Sequence, residues 1–155
     1  MTFDEAFQIL LGHEGSFVDH PRDPGGATKW GITKRDHPGE DIPNLTQERA
    51  KIIYKHGYWA PAGCDAVPSE LKFDLFDSAV NQGVTTAIKF LQAAVGETAD
   101  GILGPRTLQA VNSTPALRIV ARFNGYRLQH YAALHTFPTF GRGWCRRVAA
   151  NLIRA

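Results

Sequence analysis

Glu14, Asp23 and Thr28 stand nine and then five positions apart in the stretch HEGSFVDHPRDPGGATKWGIT. Glu14 continues a helical stripe of Phe3, Phe7 and Leu10, which places its carboxyl at the edge of a core, where desolvation disfavours the charged form and raises the pKa. A carboxyl that stays protonated near neutral pH is what a general acid requires. Asp23 lies in the polar, glycine-rich HPRDPGG segment, where a carboxylate stays hydrated and ionised. Two such groups flanking one cleft can cleave a glycosidic bond, the acid protonating the leaving oxygen while the base activates water. The same residues also fit plain structure, because helix-terminal glutamates are common and an Asp before Pro-Gly-Gly is ordinarily a turn residue. Spacing alone leaves both readings open.

The elements that would position these groups are mostly helical. TFDE at Thr2–Glu5 spells a capping box ahead of the Phe3, Phe7, Leu10 stripe, and Gly12 and Gly15 weaken and stop the helix. Residues 16–44 hold four prolines and many Asp, Gly and Asn residues, and read as loop with a short hairpin. A second helix starts at Thr46 and reaches Gly57. A third follows Pro68, with Ser69 as N-cap and LKFDLFDSAVNQ as a body apolar on nearly every side, hence central and buried. Asp74, Asp77 and Asn81 form one polar stripe on it, and either bond to the core or face a groove. TTAIKFLQAAVG gives a fourth helix with Ile88, Leu91 and Val95 on one face, and ADGILGPRTLQAVN an Asp-Gly turn and a helix opened by Pro105. ALRIVARFNGYRLQHYAAL and GWCRRVAANLIRA complete the set. The expected fold class is mainly α, with the irregular, hairpin-containing loop after the first helix.

The chain has 155 residues, 43% hydrophobic and 21% charged, which suits one compact domain with a real core and excludes disorder. Cys64 and Cys145 lack CxxC partners, so they read as reduced, buried thiols. His13-Glu14 lacks the second histidine of an HExxH helix, and neither a metal nor another cofactor is indicated. The N-terminus has acidic residues where a signal peptide has basic ones, and no stretch reaches the roughly 18 to 20 apolar residues of a membrane span. After Asp100 there are eight arginines and no acidic residue, so residues 101–155 carry +8 and residues 1–100 carry −6. The basic half is suited to attracting polyanions, unless its arginines are solvated helix faces or pair with acids of the other half.

HEGSFVDHPRDPGGATKWGIT resembles the signature of the glycoside hydrolase 108 family of phage and bacterial N-acetylmuramidases, in which a helix ends in Glu-Gly and is followed by an Asp-Pro-Gly-Gly-x-Thr loop and a Trp- or Tyr-Gly-Ile-Thr segment. FDLFDSAVNQG, LQAAVG and DGILGPRTLQAV resemble the peptidoglycan-binding region that accompanies this family. The resemblance runs from about Phe3 to Asn112, and the later GRGW is compatible with it. It implies a lysozyme-like, mainly helical fold in a single domain over residues 1–155, with the catalytic signature in 1–64 and a helical, peptidoglycan-binding-like region in 65–155. It also implies cleavage of the β-1,4 bond between N-acetylmuramic acid and N-acetylglucosamine, with Glu14 as the catalytic glutamate. Asp23 and Thr28 correspond to groups that hold or activate the attacking water in phage-type lysozymes, although Thr28 comes one residue earlier than in that pattern. Ser16 stands where the family usually has a second glycine.

Trp30 either stacks on a sugar ring or plugs the core. Asp77 and Asn81 gain a substrate-binding reading from the resemblance, beside that of a helix-to-helix hydrogen bond. DGILGPRT resembles a cell-wall-binding motif, though its glycines and proline are explained as a turn and a helix start. The expectation is a monomeric endolysin acting on peptidoglycan, held in the host cytoplasm without a signal peptide and released to the periplasm and wall through a holin. Two other classes stand beside it. One is a non-catalytic cell-wall or nucleic-acid binding module driven by the arginine-rich half, although no basic-aromatic recognition motif is evident. The other is a lytic transglycosylase, which would leave an anhydro product.

Overall fold

Thr2 closes the first helix as its sequence requires. The backbone N–H of Thr2 donates to Glu5 Oε2 at 2.7 Å, and the N–H of Glu5 donates to Thr2 Oγ1 at 3.3 Å, so two otherwise orphaned donors are satisfied reciprocally. The helix, α1, spans Phe3–Leu11 and ends at Gly12, with Phe3, Ala6, Phe7 and Leu10 buried. The computed structural model describes residues 1–12 and 27–155. Downstream come a two-stranded antiparallel hairpin, β1 (Thr28–Lys29) and β2 (Ile32–Thr33), and then α2 (Gln47–Tyr54). α2 is capped by Thr46, whose hydroxyl accepts from the N–H of Arg49 at 3.1 Å, and it runs on into a single π-helical turn at Lys55–Trp59.

By internal contacts the chain divides into two compact units, Thr2–Gly57 and Tyr58–Ala155, the second including Met1. The first unit holds α1, the hairpin and α2. Its buried residues include Phe3, Phe7, Leu10, Ile32, Ile42, Leu45, Ala50 and Tyr54. Phe7 lies 5.9 Å from Phe3 and 5.7 Å from Tyr54 between ring centroids, so α1 and α2 share one aromatic core.

The second unit is helical. A short 3₁₀ turn at Cys64–Ala66 leads into α3 (Ser69–Gln82), followed by α4 (Val84–Val95), α5 (Pro105–Ser113), α6 (Ala116–Ala133) and α7 (Phe137–Arg154). α3 packs on α4 and α6, α6 on α4 and α7, and α5 on α4. Leu71, Phe73, Asp74, Leu75, Phe76, Asp77, Ser78 and Ala79 are all buried, so α3 is the central rod that its all-round apolar surface predicts. Among the described residues no helix is long and apolar enough to cross a membrane.

Three sequence expectations are corrected in detail. The N-cap of α3 is Pro68, not Ser69. α7 begins at Phe137, six residues ahead of the expected GWCRR start, because Pro138 sits in the first turn, where a missing N–H costs nothing. Of the two cysteines only Cys64 is buried; Cys145 is exposed on α7.

Candidate active site

The hairpin that carries Thr28 and Trp30 turns through two residues, Trp30 and Gly31, with φ of 54° and 75°. Two positive φ values at the centre of a two-residue loop make a type I′ turn, whose twist suits a hairpin but which favours Asn or Gly first. A tryptophan there bears a backbone cost of about 1–2 kcal/mol. Hydrogen bonds at both ends of the residue hold it. The indole N–H donates to the Leu45 carbonyl and the Tyr54 hydroxyl donates to the Trp30 carbonyl, each at 3.1 Å. Trp30 is left half-buried, its plane fixed by its own N–H bond rather than sealed in the core.

Two lysines of the hairpin region brace the loop after it. Lys29 Nζ donates to the Pro43 carbonyl at 2.8 Å, and Lys34 Nζ donates to the carbonyls of Pro38 and Glu40, both at 2.8 Å. Arg49 of α2 grips Glu40 through Nη2 at 2.6 Å and through Nε at 3.2 Å to both carboxylate oxygens, and this partnership lowers the Glu40 pKa. Thr28 begins β1 opposite Thr33 and is half-buried. Glu14 and Asp23 lie outside the described residues. Tyr54 is the residue that sequence reasoning missed: it packs on Phe7 of α1 and bonds the hairpin tip, linking the helix that precedes Glu14 to the turn that carries Trp30. The signal was Ala50 and Tyr54 at i and i+4, the buried face of α2.

Asp77 and Asn81 lie in the other unit. Asp77 has no exposed surface, and its carboxylate joins three helices. Oδ2 accepts from Arg127 Nη2 of α6 at 2.7 Å and from Asn151 Nδ2 of α7 at 2.9 Å, and Oδ1 accepts from Arg147 Nε of α7 at 2.7 Å. Of the two readings left open by the sequence, the geometry of Asp77 is that of the helix-to-helix bond. Burial alone would raise its pKa, but the charges and hydrogen bonds of Arg127 and Arg147 outweigh burial and lower it. Asn81 is exposed at the end of α3, its Nδ2 donating to the Asp77 carbonyl at 2.7 Å.

One turn earlier, Asp74 meets the opposite balance. It is buried, and its Oδ1 stands 3.6 Å from Arg127 Nη1, too far for a hydrogen bond. Desolvation therefore dominates, only partly offset by Asn124, Arg127 and Asn151, and the pKa rises to about 6. Arg127, with no exposed surface, is the common cation of both carboxylates.

Comparison with known proteins adds the following. Residues 7–83 match the family model described as Glycosyl hydrolase 108, and residues 86–149 match the one described as Predicted Peptidoglycan domain. A solved structure titled "Structure of Brucella abortus SagA" is 36% identical in sequence, covers 98% of this chain and 92% of its own, and superposes with a TM-score of 0.88. No curated protein matches the sequence.

Proposed function

From the premise that this chain belongs to the glycosyl hydrolase 108 family and is a peptidoglycan-degrading glycoside hydrolase, we propose that it is an N-acetylmuramidase with Glu14 as its general acid. The observation that carries this reading is that the family match over residues 7–83 contains Glu14, Asp23, Thr28 and Trp30 together. Glu14 follows the buried Phe3, Phe7, Leu10 face of α1 and protonates the leaving glycosidic oxygen. Asp23 stays ionised and activates the attacking water, and Thr28, at the base of the hairpin, orients that water. Trp30 presents its fixed indole to a sugar ring. A turn position that would favour asparagine or glycine carries a tryptophan because its side chain is used, and the bonds from Tyr54 and to Leu45 compensate the strained backbone. Asp77 acts by holding the end of α3, and Asn81 at that end is proposed as a further sugar contact, its carbonyl oxygen having no partner among the described residues.

Glu14→Gln tests the mechanism, because it keeps size and hydrogen bonding but removes the transferable proton. Lysis of purified sacculi should fall by ~10² to 10⁴, with an unchanged or higher melting temperature. A folded variant that still clears sacculi at more than about a tenth of the wild-type rate, outside that range, refutes Glu14 as the acid. Mass spectrometry of the muropeptides tests the bond: muramic acid at the new reducing end marks hydrolysis, whereas an anhydro end marks a transglycosylase.

A further inference from the structure

Trp30 is fixed at two points, and both belong to one helix and its cap. Leu45, whose carbonyl accepts from the indole N–H, directly precedes the Thr46 cap of α2. Tyr54, whose hydroxyl donates to the Trp30 carbonyl, is the last residue of α2. The anchors therefore start from opposite ends of an eight-residue helix, a distance of about 12 Å at 1.5 Å per residue. A long helical side chain leans back toward the N-terminus of its helix, so the Tyr54 phenol covers part of that distance and the indole spans the rest. With its backbone held at one end and its ring nitrogen at the other, Trp30 is an extension of α2 rather than a loose turn residue.

The two anchors act differently. The bond at Nε1 fixes the tip of the ring but lets the ring swing about that point, whereas the bond at the carbonyl fixes the backbone from which the ring springs. That backbone needs fixing. Among the described residues Trp30 alone has a positive φ without being glycine, at 54°, and the left-handed state of an L-residue carries a penalty of the same size as one or two net hydrogen bonds. The donor is itself held: Tyr54 is 2% exposed, and its ring packs at 5.7 Å on Phe7 of α1, which has no exposed surface. Phenylalanine would fill that position against Phe7 as well, and a buried hydroxyl costs free energy unless it is bonded. What tyrosine adds is the bond to the hairpin tip.

We propose that Tyr54 is a positioning residue for the substrate. By holding the Trp30 carbonyl it keeps the indole set as a platform for a pyranose ring, and it acts on substrate binding through Trp30 without touching the sugar. This rests on the reading of Trp30 as a sugar contact in a glycan-cleaving enzyme. Tyr54→Phe keeps the ring on Phe7 and removes the donor. With a soluble muropeptide oligomer as substrate, KM should rise roughly 3- to 10-fold, the worth of one net hydrogen bond, while kcat stays near the wild-type value. Trp30→Asn removes the indole but suits the turn. It should raise KM at least as much, with an unchanged or higher melting temperature, and adding Tyr54→Phe to it should raise KM no further. The indole N–H resonance of Trp30, identified by its absence in Trp30→Asn, should exchange with solvent faster in Tyr54→Phe.

A Tyr54→Phe effect on KM of the same size with and without the Trp30 indole overturns the proposal, as does a loss of kcat and melting temperature with KM unchanged; either result makes Tyr54 a structural residue. A Trp30→Asn chain that binds the oligomer as tightly as wild type overturns it too. A wild-type chain that cuts no oligomer refutes the hydrolase mechanism instead, and the dissociation constant of the oligomer, read by NMR titration, then takes the place of KM and decides the role of Tyr54 by the same comparison.

Discussion

Asp74 and Asp77 sit one turn apart on the same buried helix, and neutralising them should change stability in opposite directions. Asp74 is 2% exposed and its pKa is raised from 3.8 to about 6. At 1.36 kcal/mol per pKa unit, keeping it ionised costs about 3 kcal/mol, an upper figure for what Asp74→Asn can recover. The folded state binds this proton more tightly than the unfolded chain, so the cost is absent below about 4, grows as pH rises to about 6, and is complete above that. Asp77 has a lowered pKa, so its contribution is favourable above its unfolded value of 3.8 and is lost as pH falls below it. Asp77→Asn takes from the wholly buried Arg127 its hydrogen-bonded carboxylate, leaving only Asp74 at 3.6 Å, and should cost up to about 3–5 kcal/mol.

The assay is urea unfolding of both variants and wild type near pH 7 and near pH 4, checked by melting temperature, where about 2–4 °C accompanies each kcal/mol in a chain of this size. Near pH 7, Asp74→Asn should stabilise and Asp77→Asn destabilise. Near pH 4 the Asp74→Asn gain should have largely vanished. A loss in both variants at pH 7, or a gain from Asp74→Asn that does not change with pH, would refute the account of desolvation against pairing.

Gly101→Ala should destabilise by about 1–3 kcal/mol in urea titration, because Gly101 has φ of +82° and a new Cβ would meet Thr85 Cγ2 at 2.6 Å. A thiol reagent at mildly alkaline pH should label Cys145 alone in the native protein and Cys64 only after unfolding, since Cys64 is buried and desolvation pushes its thiol strongly up; mass spectrometry of the labelled peptides reads this directly. Replacing the exposed Arg118 and Arg122 with glutamate should slow attack on whole sacculi by roughly tenfold or more at low salt and flatten its salt dependence, with little effect on a short oligosaccharide. Equal slowing on both substrates would assign these arginines to structure, which is already the position of Arg127 and Arg147.

Much of this fold was legible because its signals are local. Thr2 with Glu5, Pro105 at the start of α5 and the left-handed Gly96 after α4 each announce an element boundary within four residues. TKWGIT fits the hairpin that the loop was expected to hold. The polar stripe of Asp74, Asp77 and Asn81 was visible too, but its partners were not. Arg127, Arg147 and Asn151 lie 50, 70 and 74 positions beyond Asp77, a separation no helical period encodes. The early start of α7 was hidden because Pro138 and Gly141 read as helix breakers. In the structure the proline occupies the first turn and the glycine makes room for Phe137. Tyr54 was overlooked because its role depends on a hydroxyl reaching the Trp30 carbonyl, 24 residues away.

The Asp77 carboxylate also bears on how this chain could be recombined. It lies in the segment matched by the hydrolase family, whereas Arg127 and Arg147 lie in the segment matched by the peptidoglycan domain and Asn151 just past it. The seam between the two matched segments, residues 84 and 85, is therefore no place to cut. Grafting residues 86–149 onto a foreign catalytic segment would strand the guanidinium of Arg127 without Asp74 and Asp77, the two carboxylates of α3 that neutralise it. A chimera built from these parts must carry α3 along with α6 and α7, so the transferable cassette begins at Pro68 rather than at the boundary that sequence families draw.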